Sequence, residues 1–250
     1  MNEQHIAPQN IILCICAGRT LIDRTKALRI AAALREAGHR VTLKADLCQE
    51  VMCDRLTADE RSPHTILACY PRAVRSLLQW KGLEAASCID IRNGELPETL
   101  CPTAVPSEGL PQGAVGQETP PIEQPEAWFP VIDKERCTDC GKCHDFCLFG
   151  VYAKSAEGQV CVVQPQNCKN NCPACARVCP SRAIIFPKYD KSPINGGLTD
   201  EETFAPQEAD RLYRERLRYK LQQRSAGIPL TKADVPLTKA DVPLPNPDPV

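Results

Sequence analysis

Residues Cys137–Cys147 read CTDCGKCHDFC, four cysteines in eleven positions. Disulfides explain this poorly, because cysteines two residues apart close only small, strained loops. A metal site explains it better. The spacing is Cys137-x2-Cys140-x2-Cys143-x3-Cys147. Twenty residues later a second run follows, Cys168-x3-Cys172-x2-Cys175-x3-Cys179-Pro180. A cuboidal 4Fe-4S cluster takes one thiolate per iron: a tight three-cysteine loop wraps three irons and a remote cysteine supplies the fourth. Two runs in sequence let each donate its last cysteine to the other's cluster. One cluster is then expected on Cys137, Cys140, Cys143 and Cys179, and the other on Cys168, Cys172, Cys175 and Cys147. Zinc sites also use close cysteines, but they pair two C-x2-C knuckles and do not repeat a three-plus-one run.

The segment from Val131 to Tyr189 resembles the bacterial-type dicluster ferredoxins. The residues that carry the resemblance are the entry VIDKERCTDCGKC, the second run CPACARVCP and the strand-like AIIFP that follows it. The resemblance implies an α+β ferredoxin-like domain with two 4Fe-4S clusters and a role in one-electron transfer. Two details depart from the family pattern. Leu148, not Pro, follows Cys147, and the loop from Cys168 to Cys172 is one residue longer, containing KNN. Neither removes a ligand; both bear on the hydrogen bonds and exposure that set the potential. Cys161 falls outside both runs and is expected to be a small core residue. His5, His39, His64 and His144 show no paired metal-ligand spacing, and His144, within the first run, is not expected to be a ligand.

Composition sets the limits on other readings. The 250 residues carry 30 Lys+Arg against 31 Asp+Glu, which provides no electrostatic case for nucleic acid or a membrane surface. Aromatics are scarce at 5%, Pro is abundant at 23, and Cys stands out at 16. The opening MNEQHIAPQNIILCICAGRT has no basic leader and only a strand-length apolar patch, so neither a signal peptide nor a membrane insertion is expected. A cytoplasmic location follows, in which cysteines serve as ligands or reactive thiols more often than as disulfides. Charges between Pro130 and Asp190 are mixed, unlike an acidic shuttle ferredoxin, which suggests a module held in a larger complex with redox proteins as donor and acceptor.

Residues 1–96 alternate strand and helix patterns and predict an α/β domain with a small, mostly parallel sheet. Strands are expected at NIILCIC, HRVTLKADLC, TILACYP and ASCIDIR, with helices at Leu21–Gly38 and AVRSLLQWKG. Residues 97–128 form a proline-rich linker. The dicluster domain occupies 129–190. Residues 191–226 form a charged helical extension with Leu212, Leu217 and Leu221 on a thin apolar stripe. Residues 227–250 are an extended, disordered tail, repeating IPLTKAD, VPLTKAD and VPLPNPD. The tail reads either as a solvated extension or as a docking peptide for a partner.

Seven further cysteines precede the dicluster segment: Cys14, Cys16, Cys48, Cys53, Cys69, Cys88 and Cys101. Cys14 and Cys16 are expected to close the first strand, Cys48 the second and Cys69 the third, while Cys88 lies mid-strand. Ligands of open parallel sheets bind beyond the carboxyl ends of the strands. Cys16, Cys48 and Cys69 are therefore expected to meet, with Cys14 or Cys53 as a fourth partner. Such a group reads as a third iron–sulfur cluster, as a reactive thiol pair, or as ordinary buried residues. The segments ILCIC, DLC and ILACYPRAV distantly resemble the amino-terminal region of the iron–sulfur flavoprotein subunit of heterodisulfide reductases, which implies a redox assembly. The fingerprint G-x-G-x-x-G is absent, so no dinucleotide site of that kind is expected. The functional expectation is electron transfer within or towards a redox complex. The alternative is a scaffold or oxygen-sensing protein with structural clusters.

Overall fold

A computed structural model describes residues 7–100 except 18, 20, 63, 86 and 94, residues 128–197, and residues 211, 213–215, 217–219, 221 and 222. The chain divides into two compact units, Met1–Ala127 and Trp128–Val250. Most of the proline-rich linker and all of the repeat tail lie outside the described residues.

The first unit is built on four strands, β1 (Asn10–Cys14), β2 (Arg40–Lys44), β3 (Thr65–Ala68) and β4 (Ser87–Asp90), in the order β2-β1-β3-β4, every pair parallel. Helices α1 (Arg24–Glu36), α2 (Leu47–Met52) and α3 (Pro71–Trp80) connect them. Right-handed crossovers put α1 on one face, since β1 to β2 steps one way. They put α2 and α3 on the other, since β2 to β3 and β3 to β4 step the opposite way. The central strands are accordingly covered on both sides. Ile11, Ile12, Leu13 and Cys14 of β1 are all buried, as are Thr65 to Ala68 of β3. This is why they read as unbroken apolar runs, without alternation. Ala27, Ile30, Ala31 and Leu34 supply the buried stripe of α1, and Ala73, Val74, Leu77 and Leu78 that of α3.

Local signals set the helix ends. Asp23 caps α1 by accepting from Lys26 N at 2.8 Å. Gly38, at φ +89°, turns the chain out of α1, with its N–H donating to the Arg35 carbonyl at 3.0 Å, as a glycine just past a helix does. Pro71, expected at a strand end, opens α3 with its missing N–H at a position that needs none.

One expectation needs correction. Cys48 does not close the second strand. β2 ends at Lys44, and Cys48 is the second residue of α2. Asp46 causes the change, because its Oδ1 accepts from Gln49 N at 3.0 Å and starts a helix. Cys16 and Cys69 also lie just past their strands, in the turns that follow β1 and β3.

The second unit is a pair of strand–helix–strand halves. The first holds β5 (Val131–Ile132), α4 (Lys142–Phe146) and β6 (Tyr152–Lys154). The second holds β7 (Val160–Val162), α5 (Ala174–Arg177) and β8 (Ile184–Ile185). Pairing crosses the halves: β5 runs antiparallel to β8 and β6 antiparallel to β7. Phe129, Val131, Ala183, Ile185 and Phe186 are fully or almost fully buried between them. The chain packs on through residue 197, with Phe186 N donating to the Ile194 carbonyl at 2.7 Å. The described residues from 211 to 222 are helical, and Tyr213 and Leu217 are their half-buried members.

Candidate metal centre

Each cysteine run wraps a short helix. In the first, Asp133 accepts from Cys137 N at 2.9 Å through its carbonyl and anchors the loop to β8 by donating its own N–H to Ala183 O at 2.8 Å. Asp139 takes φ +49° and Gly141 φ +75°, and the chain then enters α4 with Cys143 in its first turn. The Asp139 carboxylate braces the bend by accepting from Val160 N at 2.8 Å. The second run repeats the device: Asn171 is at φ +59° before α5, which carries Cys175. Positive φ at non-glycine residues costs about 1–3 kcal/mol and persists where the surroundings demand it. Here it turns the loops inward.

Chain crossing brings the thiols together in two groups. Cys143 has Cys179 as its strongest thiol neighbour, followed by Cys137 and Cys140; burial first, then these thiols, push it up to about 12. Cys168 is likewise pushed up to about 12, by burial and then by Cys147 and Cys172, with the Trp128 indole acting in the other direction. Cys147, Cys168, Cys172 and Cys175 line one cavity of about 230 Å³, together with Phe146 and Phe149. So the last cysteine of each run stands with the first three of the other. The described cysteines are thiols. Among the described residues no three or more His, Cys, Asp or Glu side chains close on a single-ion site.

Donors face these sulfurs. Ala183 N donates to Cys179 Sγ at 3.3 Å. The buried Tyr152 hydroxyl donates to Cys175 Sγ at 3.0 Å. Tyr152 is held well above its ordinary value, by burial first and then by Cys175 and Cys143. It therefore stays a donor and lies between the two thiol groups. Trp128 Nε1 is buried without a full hydrogen bond among the described residues, beside Cys168, and its ring stacks on Phe186 at 5.2 Å. Such donors stabilise a thiolate-bound cluster, so the residues present fit a 4Fe-4S group. Neither Tyr152 nor Trp128 was named by the cysteine spacing. Nothing in a strand tyrosine or an isolated tryptophan announces a sulfur partner far along the chain.

Other sequence candidates take simpler places. His144 Nδ1 pairs with Asp145 Oδ1 at 2.9 Å. His39 bridges Gln9 N at 3.1 Å and the Leu100 carbonyl at 2.9 Å. His64 Nδ1 lies 2.6 Å from the Ser62 carbonyl. Cys161 is half-buried in β7 between two buried valines.

In the first unit, Cys16 and Cys69 share a side-chain hydrogen bond, with Cys14 and Cys48 beside them. Cys14, Cys16, Cys48 and Cys69 are all buried. Cys53 is exposed at the end of α2 and Cys88 half-buried in β4. Of the two candidates for fourth partner, Cys14 is the one in the group. Cys101 lies outside the described residues.

Comparison with known proteins bears on the second unit. A family model described as "4Fe-4S binding domain" matches residues 129–152. The chain is 47% identical over 62 residues to the "uncharacterized ferredoxin MJ0251" of Methanocaldococcus jannaschii, a match covering 24% of this chain and 42% of that protein. It is 35% identical over 58 residues to the "uncharacterized ferredoxin MJ0722" of the same organism, covering 22% of this chain and 74% of that protein. No solved structure gives a significant match. Among the described residues no helix is long and apolar enough to cross a membrane.

Proposed function

We propose that this chain, which belongs to the 4Fe-4S ferredoxin family, is a two-cluster electron-transfer protein that passes single electrons within or towards a redox enzyme complex. The family carries at least one 4Fe-4S cluster here. Cys137, Cys140, Cys143 and Cys179 hold one cluster in this reading, and Cys147, Cys168, Cys172 and Cys175 the other. The observation that carries the reading is the crossed grouping: Cys179 beside Cys143, and Cys147 lining one cavity with Cys168, Cys172 and Cys175. The cluster supplies a one-electron redox couple. The eight cysteines would supply one thiolate for each iron, which would leave no open coordination position for a substrate. Phe146, Leu148, Phe149 and Val151 line the second group with apolar surface, and Tyr152 and the Ala183 N–H stabilise negative charge at the sulfurs. Cys143 is also a neighbour of Cys175, so the two groups adjoin, as a short electron path requires. Donor and acceptor are redox proteins that dock on this surface, and the tail is a candidate docking peptide.

Paired substitutions test the ligand sets in anaerobically purified full-length protein. Cys137→Ala with Cys179→Ala should lose about four irons, no more than either alone, because both remove the same cubane. Cys175→Ala with Cys179→Ala should lose about eight, one cubane for each. The reverse pattern sinks the crossed assignment, and stoichiometric zinc with no acid-labile sulfide sinks the cluster reading itself. Reversible one-electron reduction in a redox titration supports electron transfer. Clusters that only decay on reduction favour a scaffold or sensor.

A further inference from the structure

The first unit has a site of its own where its strand order reverses. β1 is followed by a crossover to β2 on one side, and β3 by a crossover to β4 on the other. Between β1 and β3 the connecting chains part, which leaves a crevice at the carboxyl edge, where open α/β sheets bind their ligands. Cys14 is the last residue of β1, Cys16 lies two beyond it, and Cys69 follows β3 directly. Cys48 joins them from the first turn of α2. The carboxyl edge of the sheet thus gathers four buried sulfurs.

Three observations set these cysteines apart from plain core residues. Cys16 takes φ +49°, a conformation that a non-glycine residue holds at a cost. Asp139 and Asn171 hold the same conformation within the cysteine loops of the second unit. Second, Cys14 Sγ accepts from the Leu47 backbone N–H at 3.4 Å and also from the Cys16 N–H. A thiol in an apolar core needs no donors, whereas a metal-bound thiolate is stabilised by them. Ala183 N–H serves Cys179 in the same way. Third, Cys16 lies against Cys69 with Cys14 and Cys48 beside the pair, while Cys53 is exposed and Cys88 half-buried in β4.

We propose that Cys14, Cys16, Cys48 and Cys69 are the ligands of a further iron–sulfur cluster, seated at the carboxyl edge of the parallel sheet between β1 and β3. Four soft sulfur donors select zinc or iron–sulfur. The zinc content of the purified chain separates the two. Each thiol gives up its proton to solvent as it becomes a ligand. The site uses none of the second unit's cysteines, so it stands or falls independently of the two-cluster reading.

The test is the change in iron and acid-labile sulfide in the anaerobic full-length chain. Cys16→Ala and Cys69→Ala should each lower iron by about four per chain, and Cys88→Ala should leave it unchanged. The loss should add in full to that of Cys137→Ala, which separates this cluster from those of the second unit even if their ligand sets are misassigned. Because a core variant can fail to fold, the wild type supplies a second readout. Labelling with N-ethylmaleimide before and after iron chelation, mapped by mass spectrometry, should mark Cys14, Cys16, Cys48 and Cys69 only after chelation. Equal labelling in both states, one equivalent of zinc in place of iron, or a Cys16–Cys69 disulfide in the anaerobic protein would each overturn the proposal.

Discussion

The Tyr152 hydroxyl donates to one of the two thiol groups of the second unit, at Cys175. Tyr152 reaches Cys175 because β6 pairs with β7 and turns this residue inward, while Lys154, two positions on, is exposed at the strand end. A donor to a cluster sulfur favours the reduced, more negative state and so raises the potential. Tyr152→Phe removes that donor and should lower the potential of the cluster held by Cys175. If the hydrogen bond differs by about 1 kcal/mol between redox states, the shift is roughly 40 mV for one electron. The cluster proposed on Cys137, Cys140, Cys143 and Cys179 should barely move. Potentiometric titration followed by EPR reads both, and an unchanged or raised potential would show that the hydroxyl does not act on the cluster. At this scale the sequence names cysteines readily, since only their type and spacing matter. It does not name Tyr152, whose partner lies in another helix and is met only after the chain has crossed over.

The short helix α2 shows what an element adds. Its six residues, LCQEVM, complete fewer than two turns. No apolar periodicity can establish itself over that length, and ADLC reads as the end of a strand. The cap decides otherwise. Once Asp46 takes Gln49 N, the chain turns and Leu47, Cys48 and Val51 face inward, while Cys53 at the far end is exposed. Asp46→Ala should cost about 1 kcal/mol, and Asp46→Asn, which keeps the capping oxygen, should recover most of it. Urea unfolding followed by Trp80 fluorescence in a Trp128→Phe background measures the difference. Equal midpoints for the Ala variant and the wild type would mean that packing of Leu47 and Val51 alone holds the helix. The element thereby chooses between Cys14 and Cys53, which strand reading left open. Cys14 sits where the Leu47 N–H, unpaired within the helix, finds an acceptor.

The two units rest on different sources of stability. The first buries Ile11, Leu13, Ile30, Leu34, Leu67 and Leu77 in the layers on the two faces of its sheet, each contributing about 2 kcal/mol of apolar transfer. Between residues 128 and 197 the second has strands of only two or three residues and helices of four or five, so cluster binding should supply much of its folding free energy. Iron chelation should therefore collapse amide protection across residues 128–197, while β1 and β3 of the first unit keep theirs. Hydrogen exchange with mass spectrometry reads both at once, and retained protection in the second unit would show that it folds without metal. Residue type and spacing by themselves determined that the chain carries a 4Fe-4S binding domain, that strand and helix alternate through the first unit into a parallel α/β sheet, and that thiols gather near its strand ends. These are local or periodic properties, and every one is written in a short window of sequence. The crossed grouping of Cys179 with Cys143 and of Cys147 with Cys168 was already expected from the two runs; only the tertiary structure decided how the chain brings these thiols together, and that Cys14, not Cys53, stands with Cys16 and Cys69. Those groupings depend on antiparallel crossing of the two halves in the second unit and on opposite crossovers around β1 and β3 in the first. Both are set by which elements bury one another's apolar faces, and no window of adjacent residues contains that.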